Sequence, residues 1–251
     1  MVAFNLDGKI ALITGASRGI GESIALTLAE YGATCMLVSR KIEGLQAVQE
    51  KIKAKGGVAE VMACNMGELD QIQALFARTK DRFGRLDILV NNAATNPYFG
   101  PMLGAPESAW DKTLAVNLKG PFFMIQQAAE LMAENGGAIV NVASINAVSP
   151  APMQGIYSIT KAGVVAMTKA YAKELAPKNI RVNALLPGLT QTKFTTALID
   201  NQEIYEHIVQ RIPMQRHAQP EEMAGAVLYL VSDAASFTTG TTIVCDGGVL
   251  A

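Results

Sequence analysis

Seven short runs of apolar, largely β-branched residues, at 9–14, 34–39, 58–64, 86–93, 138–144, 180–187 and 241–245, alternate with longer stretches of helical periodicity, such as 20–31 and 69–83. A strand that reads as an unbroken apolar run buries both of its faces, and strands separated by helices suit parallel pairing. The pattern predicts an α/β fold, a parallel sheet with helices on both faces. No internal repeat, low-complexity segment or linker divides the chain, so one domain over 1–251 is expected.

Two places break the alternation. Gly120-Pro121 interrupts a helical region that begins near Glu107, which predicts a kink or a second helix start. Pro187-Gly188 opens an irregular stretch lasting to about Arg216, before Pro220 and Glu221 begin another helix. An excursion of this length, at about 188–216, is expected to serve as a substrate lid.

Composition narrows the class. Half of the 251 residues are hydrophobic and 17% are charged, enough apolar material for one large core. The formal net charge is -1 and no block of Lys or Arg stands out, which argues against nucleic-acid or anionic-membrane partners. The longest apolar stretches, such as 224–231, are far too short to span a bilayer. Asp7, Gly8 and Lys9 interrupt the N-terminus before a signal-peptide core could form. Cys35, Cys64 and Cys245 lie in apolar runs, and an odd number at wide spacing fits core residues in a reducing compartment; a cytoplasmic setting is expected. Neither His207 nor His217 has a second ligand at metal spacing, so no metal is expected.

Three local features carry candidate chemistry. The first strand runs into Thr14-Gly15-Ala16-Ser17-Arg18-Gly19-Ile20-Gly21 and then a helix. Such a turn allows a pyrophosphate to approach the backbone and meet the amides of the helix N-terminus. The second strand ends in Ser39-Arg40-Lys41, with no carboxylate to bond a ribose hydroxyl. Arg40, with Arg18 from the glycine turn, could instead pair with a 2′-phosphate, which favours NADP(H) over NAD(H). Tyr157 and Lys161 stand four residues apart on a helix, where an ammonium beside a phenol lowers its pKa and yields a tuned acid/base. The same spacing also occurs on solvated helix faces.

Taken in order, the glycine turn, Asn91-Asn92-Ala93-Ala94, Asn117, Ser144 thirteen residues before Tyr157, Lys161 and Pro187-Gly188 resemble the short-chain dehydrogenase/reductase family over essentially the full length. The segment 91–100 with 179–183 further resembles its NADPH-dependent carbonyl and retinal reductases. The resemblance implies a single Rossmann-type doubly wound domain whose seven parallel strands run in the order 3-2-1-4-5-6-7. It implies that Tyr157 protonates the carbonyl oxygen, Ser144 holds that oxygen, and Lys161, together with the positive nicotinamide of the oxidised complex, lowers the phenol's pKa and grips the nicotinamide ribose. Asn117 would lend a backbone carbonyl to a water-mediated proton path. The implied cofactor residues are Gly15, Ser17, Arg18, Gly19, Ile20, Gly21, Ser39, Arg40, Asn65, Asn91, Ala93, Pro187, Gly188, Leu189 and Thr192, together with Tyr157 and Lys161.

Two positions depart from the family's pattern. Ala94 replaces a usual glycine, and Asn65 stands where an aspartate commonly holds the adenine amino group, a bond its amide oxygen can also accept. Leu189, Phe194, Leu198, Ile199, Pro97, Tyr98, Phe99 and Met153 are candidates for an apolar substrate pocket. The reading is an NADP(H)-dependent oxidoreductase of hydrophobic ketones or aldehydes. A 3-oxoacyl-carrier-protein reductase is the alternative within the enzyme class, and a non-catalytic NADP(H)-sensing protein the alternative outside it. The resemblance also implies a homotetramer, paired through the helices after Glu107 and around Tyr157 and through the C-terminal strand.

Overall fold

In the computed structural model, which describes residues 4–251, all seven apolar runs become strands of one parallel sheet, ordered β3-β2-β1-β4-β5-β6-β7. The strands are β1 (Ile10–Thr14), β2 (Thr34–Ser39), β3 (Ala59–Ala63), β4 (Ile88–Asn91), β5 (Gly137–Val142), β6 (Ile180–Pro187) and β7 (Thr242–Cys245). Successive residues of β1 show why the runs do not alternate with polar positions. Leu12 packs into the apolar layer on one face and Ile13 into the layer on the other, and both are fully buried. The two edge strands are the exceptions: β3, paired only with β2, carries Glu60 and an exposed Ala63, and β7, paired only with β6, leaves Val244 exposed.

The connections are α1 (Gly19–Glu30), α2 (Ile42–Ala54), α3 (Leu69–Phe83), α4 (Glu107–Leu114), α5 (Gly120–Leu131), α6 (Gly155–Leu175), α7 (Thr196–Ile199), α8 (Gln202–Val209) and α9 (Glu221–Val231). β1 lies between β2 and β4, so the winding direction reverses beside it. In open parallel sheets a crevice forms at such a reversal, outside the carboxyl ends of the strands.

One expectation holds and two are corrected. At Gly120-Pro121 a second helix starts, α5, joined to α4 through one π-helical turn, Ala115–Lys119. The proline lacks an amide for the preceding turn, and a wider turn accommodates that loss. The stretch at 188–216 is not irregular throughout, since it contains α7 and α8; Asn201 caps α8 by accepting from the Ile204 amide at 3.1 Å. Ser144 lies two residues beyond β5 instead of ending it.

Beneath the crevice, a polar ladder crosses the apolar layer. The buried Asn91 Nδ2 donates to Asn141 Oδ1 at 2.9 Å, and Asn141 Nδ2 donates to Thr168 Oγ1 at 2.9 Å. Asn141→Ala removes a buried acceptor and donor at once. It should cost roughly 1–3 kcal/mol, read as a lower urea midpoint at unchanged slope; an unshifted midpoint would contradict this account of the ladder.

Candidate active site

The glycine turn is built from contacts that exclude side chains. Gly15 and Gly19 adopt left-handed backbone, φ 67° and 58°, which favours glycine. A Cβ on Gly15 would stand 2.7 Å from Asn92 Nδ2, and one on Gly21 would collide with the Gly15 carbonyl. Asn92 ties the turn to β4 by donating from Nδ2 to Thr14 O at 3.0 Å. Thr14 Oγ1 accepts from the amides of Asn92 and Ala93 at 2.9 and 3.0 Å. No side chain caps the N-terminus of α1, so its first amides remain available to an anion.

A cleft of about 670 Å³ runs from this turn to the end of β5. Gly15, Ser17, Arg18, Gly19, Ile20 and Gly21 line it beside α1, and Ser39, Arg40, Lys41 and Asn65 line the side formed by β2 and β3. Arg18, Arg40, Lys41, Lys161 and Lys193 all lie on its wall, whereas no Asp or Glu does among the described residues. Arg18 and Arg40 are exposed, and neither takes part in an ion pair with a described residue. Two polar groups are partly engaged within the chain. Ser39 Oγ donates to Lys41 O at 2.8 Å, and Asn65 Oδ1 accepts from the Gly67 amide at 3.2 Å, leaving one lone pair.

Ser144, Tyr157 and Lys161 meet at the other end. The backbone of Ser144 is extended, and its Oγ accepts from the Asn146 amide at 3.1 Å. The Ser144 hydroxyl stands near enough to the Tyr157 phenol to favour its ionised form. Lys161 is buried against the sheet, donating from Nζ to Val142 O at 2.7 Å, with its ammonium 5.5 Å from the centre of the Tyr157 ring. Burial lowers the Lys161 ammonium to about 8. Burial also pushes the Tyr157 phenol up to about 12, outweighing the downward pull of Ser144. Burial thus sets the phenol in the protein without cofactor, whereas the expected lowering concerns Lys161 acting together with a positive nicotinamide.

Other expected site residues are placed differently. The Asn91 side chain enters the polar ladder beneath the sheet, whereas Asn92, a residue the sequence reading passed over, faces the cleft. Consecutive residues at a strand end point to opposite faces, so the Asn-Asn pair could have signalled this division. Asn117 is buried below the wall. Its Oδ1 accepts from the Thr95 amide at 2.8 Å, and its Nδ2 donates to Thr95 O and to Thr160 Oγ1 at 2.9 and 3.2 Å. Ala93, Ala94, Pro187 and Thr192 line the cleft. Gly188 and Leu189 do not: the first packs on Asp246, and the carbonyl of the second accepts from the Ala218 amide at 2.9 Å. Phe194 brings its ring centre to 5.5 Å from that of Tyr157.

Residues 15–250 match the family described as enoyl-(acyl carrier protein) reductase. The chain is 39% identical over 244 residues to dehydrogenase/reductase SDR family member 4 of Oryctolagus cuniculus, covering 97% of this chain and 94% of the relative. It is 40% identical over 243 residues to the 3-oxoacyl-[acyl-carrier-protein] reductase FabG of Staphylococcus aureus, covering 96% and 98%. Among solved structures, gluconate 5-dehydrogenase from Burkholderia cenocepacia in complex with NADP and tartrate superposes with a TM-score of 0.94 at 34% identity, covering 98% of this chain and 96% of that one. With matches of this extent, and a sheet wound in the expected order, the chain belongs to the short-chain dehydrogenase/reductase family of oxidoreductases.

Proposed function

We propose that the protein is an NADP(H)-dependent carbonyl reductase, reversibly an alcohol dehydrogenase, of hydrophobic ketones or aldehydes. The observation that carries this reading is a cleft with five basic side chains and, among the described residues, no carboxylate, ending at Ser144 and Tyr157. A dinucleotide fits the residues present. The turn from Gly15 to Gly21 leaves backbone room for a pyrophosphate, and the uncapped start of α1 favours anionic oxygens. Arg18 and Arg40, without an acidic partner among the described residues, support binding of a 2′-phosphate, and the related gluconate dehydrogenase carries NADP. The nicotinamide, when bound, supplies or accepts the hydride.

In reduction, the Ser144 hydroxyl holds the carbonyl oxygen and Tyr157 gives it a proton as negative charge develops there. A phenol at about 12 stays protonated near neutrality, the form that this donation needs. Lys161 holds positive charge beside it and moves protons toward the Asn117 carbonyl. Asn117 sits in the π-helical turn ahead of Pro121, where the carbonyl ladder leaves α-helical register and the proline brings no amide, a place that suits a bound water. Phe194 over Tyr157 and the exposed Phe99 and Met153 support an apolar substrate.

A 3-oxoacyl-carrier-protein substrate is the second reading, favoured by the identity with FabG. An acidic carrier would need free basic residues beside the mouth. Arg216, one of the three candidates with Lys193 and Arg211, is instead held by Glu222 through two bonds of 2.7 Å. A sensor without turnover would have no use for the assembled Ser144-Tyr157 pair. Phe122 and Trp110, exposed on α5 and α4, and the open edge of β7 support a homotetramer, and three unpaired thiols support a cytoplasmic setting.

Tyr157→Phe should lower turnover of a ketone panel by roughly 10²–10⁴, with NADPH affinity little changed by fluorescence titration; substantial residual activity would sink the assignment. Arg40→Asp should shift the NADPH-over-NADH ratio of kcat/KM toward NADH by roughly tenfold to a hundredfold, and an unmoved ratio would refute the 2′-phosphate reading. The buried Lys161 titrates near 8 when folded and near 10.5 when unfolded, so the unfolded chain binds more protons between those values. The Lys161 contribution to stability should therefore rise as pH climbs from about 8 toward 10.5, while the thiols of Cys35 and Cys64, raised by burial, act in the opposite sense above about 9. Urea midpoints of the parent minus those of Lys161→Met, in which the thiol effects cancel, should climb across this window; a constant difference would contradict it.

A further inference from the structure

We propose that Phe194 is a positioning residue for Tyr157: its ring is the cover that keeps water off the phenol, carried by the same short loop that closes on the glycine turn. The two rings lie 5.5 Å apart between centres and tilted by 39°, a packed aromatic contact. Phe194 is 50% exposed, so it is not a core residue that meets Tyr157 by crowding. It is a surface phenylalanine with part of its surface laid on the phenol.

Threonines on either side hold that placement. Thr195 Oγ1 donates to Thr190 O at 2.6 Å and accepts from the Thr192 amide at 3.0 Å, which folds residues 190–195 into a tight loop. Thr192 Cγ2 lies 3.1 Å from where a Cβ on Gly19 would stand, so the loop also rests on the glycine turn. Residues only two apart thus touch the phosphate-binding turn and the phenol, and a shift of one displaces the other.

The charged surroundings leave apolar cover as the dominant influence on the phenol. Lys161 faces Tyr157 from its own helix and Lys193 lies on the cleft wall beside Phe194, while Ser144 offers a neutral hydroxyl. Both cations would favour phenolate, and no carboxylate lines the cleft among the described residues. The upward displacement of the phenol accordingly comes from burial.

The test compares the parent, Phe194→Ala and Phe194→Leu. Phenolate absorbance of the intact protein, taken as the difference against the matching Tyr157→Phe variant, reads Tyr157 without any substrate. Phe194→Ala should raise its phenolate fraction at about pH 10.5 severalfold, toward that of a free phenol, whereas Phe194→Leu, which keeps an apolar cover, should stay near the parent. An unchanged titration in Phe194→Ala overturns the proposal whatever the kinetics do. The kinetic arm rests on the carbonyl-reductase reading. With NADPH and a ketone, Phe194→Ala should lower kcat roughly tenfold or more and move the alkaline limb of the profile to lower pH, since reduction needs the protonated phenol; NADPH affinity should hold. A parent that reduces no ketone, together with a shifted titration, would reject the reductase reading and leave the cover standing.

Discussion

The arrangement on which the site depends is the close seam at the ends of β1 and β4, laced by two short polar side chains, Thr14 and Asn92, against side-chain-free glycines. Thr14 ends one strand and Asn92 follows the other. The Thr14 hydroxyl accepts two amides across the seam, while the Asn92 amide reaches back to the Thr14 carbonyl. Any side chain at Gly15 or Gly21 would force the seam apart. Because the winding reverses here, the seam also forms the floor of the crevice. Its tightness brings the start of α1 and the end of β4 to one cleft wall.

Electrostatics along that cleft follow from what the fold buries. The basic residues Arg18, Arg40 and Lys41 stay near solvent, where a charge costs little, and they make one end receptive to anions. At the other end Lys161 is drawn 2% exposed into the protein, stabilised by one backbone carbonyl, and its ammonium weakens to about 8. Tyr157 beside it is pushed the opposite way, to about 12. Desolvation favours the neutral form of each group, so it drives an acid and a cation in opposite directions. Proton donation in the reductive direction is the chemistry that this balance supports.

Much of this was legible in the chain. The seven apolar runs identified the strands to within two residues at nearly every boundary, because a strand buried on both faces admits almost no polar residue. The glycine turn was legible for a similar reason: positive φ and close approach leave few residue types acceptable. The stretch at 188–216 was read less well. α7 is a single turn and α8 is amphipathic over only eight residues, too short for periodicity to stand out against the surrounding Thr and Gln. The division of labour between Asn91 and Asn92 was legible only in outline: alternation puts the two side chains on opposite faces, but the fold decides which face carries the cleft.

By itself, the sequence determined which residue types are present, their order, and the alternation that commits them to a doubly wound sheet, because burial on both faces and glycine-only backbone are local requirements written residue by residue. Tertiary structure alone decided what those residues do to one another. A lysine at helical spacing from a tyrosine reads as a simple cation beside a phenol. Only folding revealed that Lys161 is taken out of water and Tyr157 partly so, that Phe194 arrives from a segment more than thirty residues away to lie against the phenol ring, and that burial then governs the proton. Desolvation depends on everything packed around a group, and that is a property of the fold and not of any spacing along the chain.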